Sequence, residues 1–186
     1  MSPLLMLSAS CGSREEPLLE LAALPSFELT AQSGAPFGLD QVRGHVSVAN
    51  FIFTSCPSIC PALTAKMSDL QRRFAGLTDV RLVSFSVDPE RDTPERLREY
   101  GARYGANADR WSFVTGRTDE LRRVVTEGFR VAMGDRTPVG EHYDIAHGGH
   151  FVLIDRSGTI RGYYPSDAEA TERLVRDVHR LVEESQ

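Results

Sequence analysis

The sequence predicts an α/β protein whose mixed central β-sheet is flanked by helices. Strand-like and helix-like segments alternate along most of the chain, which is typical of sheets built from βαβ units. Near the end, two apolar segments are separated only by Arg-Ser-Gly at residues 156–158, and this spacing indicates an antiparallel pair. The 186 residues, 41% of them hydrophobic, are enough for one domain with a full core.

The first predicted elements are a β-hairpin and a buried strand. Residues 27–30 alternate between apolar and polar side chains, residues 33–36 have the turn-forming sequence Ser-Gly-Ala-Pro, and the apolar segment 37–39 follows. After Gly44, residues 46–53 (VSVANFIF) are almost all apolar, β-branched or aromatic. Because this segment has no polar face, it predicts a central strand buried on both sides.

The middle of the chain predicts alternating helices and strands. Residues 80–87 and 111–115 are rich in β-branched and aromatic side chains and predict two more strands. The helix between them begins with Thr93 as N-cap and Pro94 at the first helical position, and it ends near Tyr104. The helices on either side have apolar residues at helical spacing. These residues are Leu63, Met67, Leu70 and Phe74 in the first, and Leu121, Val124 and Val125 in the second.

The last part of the chain predicts a loop, a closing hairpin and a final helix. Residues 130–149 contain four glycines and no periodic pattern, so we expect an irregular loop there. Residues 151–155 and 159–164 form the two strands of the hairpin, and the segment 166–169 (SDAE) matches a capping box ahead of the helix. This order of elements is the layout of the thioredoxin fold, in which functional residues lie at the C-terminal ends of the strands.

Two cysteines follow the predicted strand 46–53 directly. Cys56 and Cys60 are four residues apart, so that in a helical segment their Cβ atoms would be roughly 6 Å apart on one face. That separation suits a shared metal ion and, with a small backbone adjustment, a disulfide. Pro57 fits the first position of a helix, whose N-terminus favours a thiolate. A chain with a full core does not need a disulfide to fold, which favours a chemical role for the pair.

Three histidines precede the predicted strand 151–155. They are His142, His147 and His150, and in a thioredoxin-like sheet this segment packs against the cysteine turn. Two thiolates and one imidazole form a soft three-coordinate donor set that selects copper(I), whereas copper(II) requires some added oxygen. Zinc normally requires a fourth ligand. Loop histidines are more often simply solvated, so the spacing alone leaves both interpretations open.

The segment 54–61 (TSCPSICP) is similar to the signature of the Sco/SenC family of copper-binding proteins. That family combines a cysteine pair separated by three residues with a distant histidine ahead of a late strand, on a thioredoxin fold. Residues 86–94 (SVDPERDTP) resemble the family's strand-to-helix turn. His147, followed six positions later by the segment 153–155, corresponds to the family's metal-binding histidine. The resemblance covers roughly residues 25–185.

The resemblance implies that the domain at residues 25–186 is a metallochaperone rather than an enzyme. It would bind one copper ion, as Cu(I) or Cu(II), through Cys56, Cys60 and His147. Its implied task is to deliver copper to the dinuclear copper centre of cytochrome c oxidase, or to reduce the cysteines of that centre before loading. His150 falls where the family usually has no ligand, so it is either an accessory ligand or a solvated side chain.

Two aspartates are candidates for residues that orient a metal ligand without binding the metal themselves. Asp88 and Asp144 could orient His147 as hydrogen-bond acceptors, a role that metal-binding histidines commonly need. Ordinary turn and capping roles are the simpler explanation for both residues.

The main alternative is an enzyme, a metal-independent thiol–disulfide oxidoreductase. Its substrates would be the cysteines of the copper centre or of other extracytoplasmic proteins. Cys56 would then be the attacking thiol and Cys60 the resolving one. The two hypotheses differ at His147, which a chaperone needs for metal affinity and a reductase does not. A redox sensor that uses the same residues is a third hypothesis, and the sequence does not distinguish it from the metallochaperone.

Residues 1–24 predict a leader and tether without regular structure. A leucine-rich run and small residues precede Cys11, similar to a bacterial lipoprotein cleavage site at which the cysteine is lipidated. Ser8 stands where leucine is usual, and no basic residue precedes the apolar run, so an incidental cysteine is the alternative. Lipidation would anchor the protein on the extracytoplasmic side of the cytoplasmic membrane, an oxidising space.

The composition argues against two other classes of protein. The net charge is −5, and no basic patch interleaved with aromatic residues indicates a nucleic-acid partner. No apolar stretch is long enough to span a bilayer.

Overall fold

An eight-stranded mixed β-sheet forms the centre of the computed structural model, which describes residues 17–184. In chain order the strands are β1 (Ala22–Ala23), β2 (Glu28–Ala31), β3 (Pro36–Gly38), β4 (Val46–Ile52), β5 (Val80–Ser86), β6 (Trp111–Thr115), β7 (Met133–Val139), β8 (His142–His147), β9 (His150–Ile154) and β10 (Thr159–Pro165). The helices are α1 (Leu39–Val42), α2 (Ile59–Arg73), α3 (Pro94–Arg103), α4 (Thr118–Arg123) and α5 (Ala168–Glu183), and a π-helical turn at Val124–Gly128 continues α4.

The order of strands in the large sheet is β1-β10-β9-β4-β5-β6-β2-β3. Strands β4, β5 and β6 are parallel to one another, while β9 pairs antiparallel with β4 and β10 antiparallel with β9. The predicted mixed sheet, the N-terminal hairpin (β2 and β3) and the closing hairpin (β9 and β10) are therefore confirmed. No helix within residues 17–184 is long and apolar enough to cross a membrane.

The N-terminal segment contributes to the sheet from residue 22 onward. Strand β1, which the sequence assigns to the tether, pairs with β10, and Leu24 beyond it is buried. The boundary at residue 24 between tether and domain stays a prediction. Cys11 and the rest of the predicted leader lie outside the described residues.

The prediction of an irregular loop at residues 130–149 is wrong. Strands β7 and β8 form an antiparallel hairpin there, and it makes a separate two-stranded sheet. Five of the seven residues of β7 are exposed and three of these are polar, so the apolar pattern from which strands are predicted is missing. Gly140, with φ of 59°, supplies the left-handed conformation that the two-residue turn between the strands requires.

One predicted helix start matches the sequence and another differs. Thr93 caps α3 by accepting a hydrogen bond from the Arg96 N–H, with proline at the start of the helix as predicted. The predicted capping box at residues 166–169 is replaced by a simple N-cap one residue later, where Asp167 accepts from the Ala170 N–H at 2.8 Å.

The core lies on both faces of the central strand. Every residue of β4 is buried, as expected for a strand covered on two sides. Phe51 of β4 packs against Phe85 of β5 with ring centroids 6.0 Å apart, and Phe129 approaches these rings at 5.3 and 4.8 Å. This aromatic cluster joins the two parallel strands at the end of the sheet where both run towards the cysteine turn.

We expect the aromatic cluster to contribute a large part of the stability of the domain. Phe85 is fully buried, so Phe85→Ala should lower the free energy of unfolding by about 3–5 kcal/mol. The control is Leu19→Ala, because the Leu19 side chain is 74% exposed and its loss should change stability by less than about 0.5 kcal/mol. Urea denaturation followed by circular dichroism measures both values. Equal effects of the two variants would contradict this assignment of the core.

Candidate metal centre

The cysteine pair lies in the connection between β4 and α2. The chain turns sharply after β4, and the Cys56 N–H donates to the Phe53 carbonyl at 3.2 Å. Helix α2 begins at Ile59 with Ser58 as its N-cap, so the prediction that Pro57 occupies the first helical position is wrong. Ser58 has non-helical backbone angles, which delays the helix by two residues. Cys60 therefore belongs to the first turn of α2, and Cys56 to the loop before it.

Both thiols are free and both are buried. The Ser58 hydroxyl lies 3.6 Å from the Cys56 sulfur. Hydrogen bonding by Cys60 is the main cause that lowers the pKa of Cys56 to about 5, although partial burial opposes the shift. The same interaction and deep burial raise the pKa of Cys60. At neutral pH Cys56 thus holds the thiolate and Cys60 keeps the proton.

The structure brings His147 to the buried cysteine. His147 ends β8, and its Nε2 lies 3.5 Å from Cys60 Sγ. Its Nδ1 lies 2.6 Å from the Ile145 carbonyl oxygen. Because a carbonyl can only accept a hydrogen bond, Nδ1 carries the ring proton of the neutral imidazole. The lone pair is then on Nε2, which faces Cys60 Sγ, so this nitrogen can accept the Cys60 proton.

The other two histidines of this segment lie elsewhere. The His150 ring contacts Phe51 and Tyr163, with centroids 6.5 and 5.7 Å apart, and its burial lowers the pKa of the imidazole. His142 is exposed at the opposite end of β8 from His147. Of the three candidate histidines, His147 is the one in contact with a cysteine.

The two candidate aspartates hold other groups. Asp88 is almost completely buried and accepts from the Tyr143 hydroxyl and the Arg136 guanidinium. Asp144 accepts from the Ile145 N–H at 2.9 Å, which is a local contact with the next residue of β8. The acceptor at His147 Nδ1 is a backbone carbonyl rather than either aspartate.

Sequence reasoning missed a third carboxylate beneath the cysteine turn. Asp92 is fully buried and accepts from the Thr54 N–H and hydroxyl, the latter at 2.5 Å, and from the Ser86 hydroxyl at 2.7 Å. Burial raises its pKa. Asp92 therefore ties the segment just before Cys56 to the end of β5. The only signal for Asp92 in the sequence is its place in the segment 86–94. The resemblance of that segment to a known turn does not reveal that Asp92 accepts hydrogen bonds from Thr54.

The residues fit a soft metal ion, although the site is not fully arranged for one. Within the described part of the chain, no three His, Cys, Asp or Glu side chains already surround a point where an ion could be held. Cys60 and His147 are in contact, while Cys56 contacts Cys60 and Ser58. Binding an ion through both sulfurs would require loss of the Cys60 proton. Two sulfurs and one imidazole nitrogen are donors that copper(I) prefers.

Known proteins share this fold and this sequence pattern. The SCO1/SenC family model matches residues 16–183. A SCO1/SenC family lipoprotein from Bacillus anthracis (strain Ames) is 34% identical with a TM-score of 0.77, over 86% of this chain and 94% of that protein. BsSco, described as a member of the Sco family of cytochrome c oxidase assembly proteins, is 30% identical with a TM-score of 0.76, over 90% and 98% of the two chains.

A third solved structure is that of a metal-loaded protein. ScoI from Bradyrhizobium japonicum, determined with copper bound, is 25% identical with a TM-score of 0.73, over 86% of this chain and 99% of that protein. Together these similarities confirm the predicted thioredoxin-like fold.

The different pKa values of Cys56 and Cys60 predict different reactivity for the two thiols. Because its pKa is about 5, Cys56 should react with iodoacetamide at a rate that is constant above about pH 6 and falls as the pH drops through 5. Buried Cys60 should react much more slowly. In Cys60→Ala the hydrogen bonding by Cys60 is lost, so the inflection in the curve of Cys56 alkylation rate against pH should move towards the ordinary thiol range near 8.5. Mass spectrometry of the alkylated peptides measures both rates. An inflection that stays at the same pH in Cys60→Ala would contradict the role of Cys60 in lowering the pKa of Cys56.

Proposed function

The chain belongs to the SCO1/SenC family, and from that premise we propose that it is a metallochaperone that binds one copper ion through Cys56, Cys60 and His147. The observation that carries the proposal is the approach of His147 Nε2 to Cys60 Sγ, beside the Cys56 sulfur. A relative with the same fold, ScoI of Bradyrhizobium japonicum, supports it because its structure contains copper.

The three proposed ligands differ in their protonation state before copper binds. Cys56 is already a thiolate, so its sulfur can bind a cation without losing a proton. Cys60 must release its proton before it can bind, which makes copper affinity depend on pH. The carbonyl of Ile145 keeps the Nδ1 proton of His147 in place and leaves Nε2 free to donate its lone pair. Three such ligands suffice for copper(I), whereas copper(II) would require an added oxygen ligand.

The proposed recipient is the copper-bearing subunit of cytochrome c oxidase. BsSco, with which the chain shares 30% of its residues, belongs to a family of assembly proteins for that oxidase. We further propose that lipidated Cys11 tethers the protein on the extracytoplasmic side of the cytoplasmic membrane. The relative from Bacillus anthracis is a lipoprotein, which supports this location. A tether to the membrane of the oxidase would raise the local concentration of the chaperone near its target.

The unequal pKa values of the two thiols favour one alternative function, thiol–disulfide exchange. The Cys56 thiolate would attack a disulfide of the target, and one target sulfur would leave as a thiolate that takes up a proton. Cys60 would then lose its proton and attack Cys56 in the mixed disulfide. The products are a Cys56–Cys60 disulfide and a target reduced by two electrons. This reaction uses no metal, and in it His147 would serve not as a ligand but at most as the base that takes up the Cys60 proton.

Copper binding by the reduced protein distinguishes the two functions. We expect one copper per chain, lost in the double variant Cys56→Ser/Cys60→Ser. Because it removes a ligand, His147→Ala should weaken copper(I) binding by about 100-fold or more. His142→Ala is the matched control, since it removes an exposed imidazole from the other end of the same strand and should have no effect. Metal analysis gives the stoichiometry, and competition with a copper(I) chelator gives the affinity.

The opposite results have clear meanings. If His147→Ala binds copper as tightly as the unaltered protein, the proposed ligand set is wrong. If, in addition, His147→Ala still reduces a disulfide-bonded target peptide at the normal rate, the oxidoreductase function is favoured.

The tether has a separate test. In bacterial cells that process lipoproteins, the full chain should fractionate with the membrane, and Cys11→Ser should release it into the soluble extracytoplasmic fraction. Mass spectrometry should find a mature chain that begins with a lipid-modified Cys11. A Cys11→Ser protein that stays in the membrane fraction would contradict lipidation at this residue.

A further inference from the structure

The proposed copper ligand His147 lies on a hairpin that is separate from the main sheet. Within residues 17–184, β7 and β8 pair only with each other, whereas both cysteines follow β4 at the centre of the large sheet. A two-stranded hairpin alone is at best marginally stable in water. The position of His147 relative to the cysteines must therefore depend on side-chain contacts between the hairpin and the sheet.

Tyr143 contacts the main sheet from the same strand as His147. The two residues are four positions apart on β8, so their side chains extend from the same face of the strand. The Tyr143 ring stacks on Phe53 with centroids 5.6 Å apart and an angle of 28°. The His147 ring meets the same phenylalanine edge to face at 5.7 Å. Phe53 follows β4 directly and accepts the Cys56 N–H, so both rings rest on the start of the cysteine turn.

The Tyr143 hydroxyl is fixed by a buried carboxylate. It donates to Asp88 Oδ2 at 2.5 Å, and Asp88, which follows β5, is 1% exposed. The other oxygen of Asp88 is paired with Arg136 of β7, which also donates to Glu90 at 2.7 Å. Both strands of the hairpin are thus tied to the loop after β5. The Arg91 guanidinium covers the Tyr143 ring at 4.4 Å.

We propose that Tyr143 is a positioning residue that keeps His147 Nε2 at the cysteine sulfurs by holding the hairpin on Phe53 and Asp88. The inference rests on the proposed function, in which His147 is a copper ligand. Tyr143 acts through the hairpin and does not contact the metal. Removing its hydroxyl leaves a buried oxygen of Asp88 without its donor and removes a hydrogen bond that ties β8 to the loop after β5.

The test uses Tyr143→Phe in the reduced full chain. Residues that orient metal ligands typically change metal affinity by about 10–100-fold, and we expect a loss in that range for copper(I), measured against a chelator. In the copper-free protein, amide hydrogen exchange at residues 143–147 should become faster. The matched control is Tyr164→Phe, which also removes a tyrosine–carboxylate bond (Tyr164 Oη to Asp177 Oδ2, 2.7 Å) but between β10 and α5. It should change neither measurement.

A double variant separates this inference from the proposed function. If Tyr143 acts through His147, Tyr143→Phe should cause no further loss of copper affinity in the His147→Ala background. An equal loss in both backgrounds would overturn the inference, as would unaltered affinity and exchange in Tyr143→Phe alone. If His147→Ala itself has no effect on affinity, the proposed ligand set has failed, and the inference fails with it.

Discussion

The interaction between the two cysteine side chains sets the protonation of the site. Hydrogen bonding by Cys60 lowers the pKa of Cys56 to about 5, while the same interaction and deep burial raise the pKa of Cys60, so the negative charge is on Cys56. A thiolate in this position can accept a soft cation or attack a disulfide, and the fold supports both reactions with the same geometry. Both reactions also remove the second proton, because neither a metal–sulfur bond nor a disulfide forms at a protonated thiol.

His147 has a different part in each of the two reactions. Disulfide exchange needs a thiolate and a nearby resolving thiol, and the cysteine turn supplies both. There the imidazole, whose Nε2 is directed at Cys60, could serve only as a base that takes up the Cys60 proton. In the proposed copper site the same nitrogen would instead be a third soft donor. Loss of His147 would therefore cost the chaperone a ligand and the oxidoreductase at most a base.

The large sheet could be predicted from the sequence because its strands are apolar and its helices have regular apolar spacing. The cysteine pair and His147 were predicted from residue type and from resemblance to a family. The β7–β8 hairpin was missed, since polar and exposed strands leave no periodic signal. The contacts of Tyr143 with Asp88 join residues 55 positions apart, and no local pattern records such a pair. What could not be predicted is thus the part that brings His147 to the cysteines.

The separation of the ligands between two structural units suits a protein that must both hold and release an ion. Ligands that all belonged to one rigid sheet could open only by disturbing the core that contains Phe51 and Phe85. Here the cysteines are supported by that core, while the hairpin that carries His147 is held by an aromatic stack, hydrogen bonds and ion pairs, and by the buried side chains of Met133 and Ile145. These contacts can break without unfolding the strands beneath them, because local openings have their own, smaller free energies. In the proposed chaperone, a recipient that competes for copper would need to displace only the hairpin, and the two thiolates would remain in place to pass the ion on.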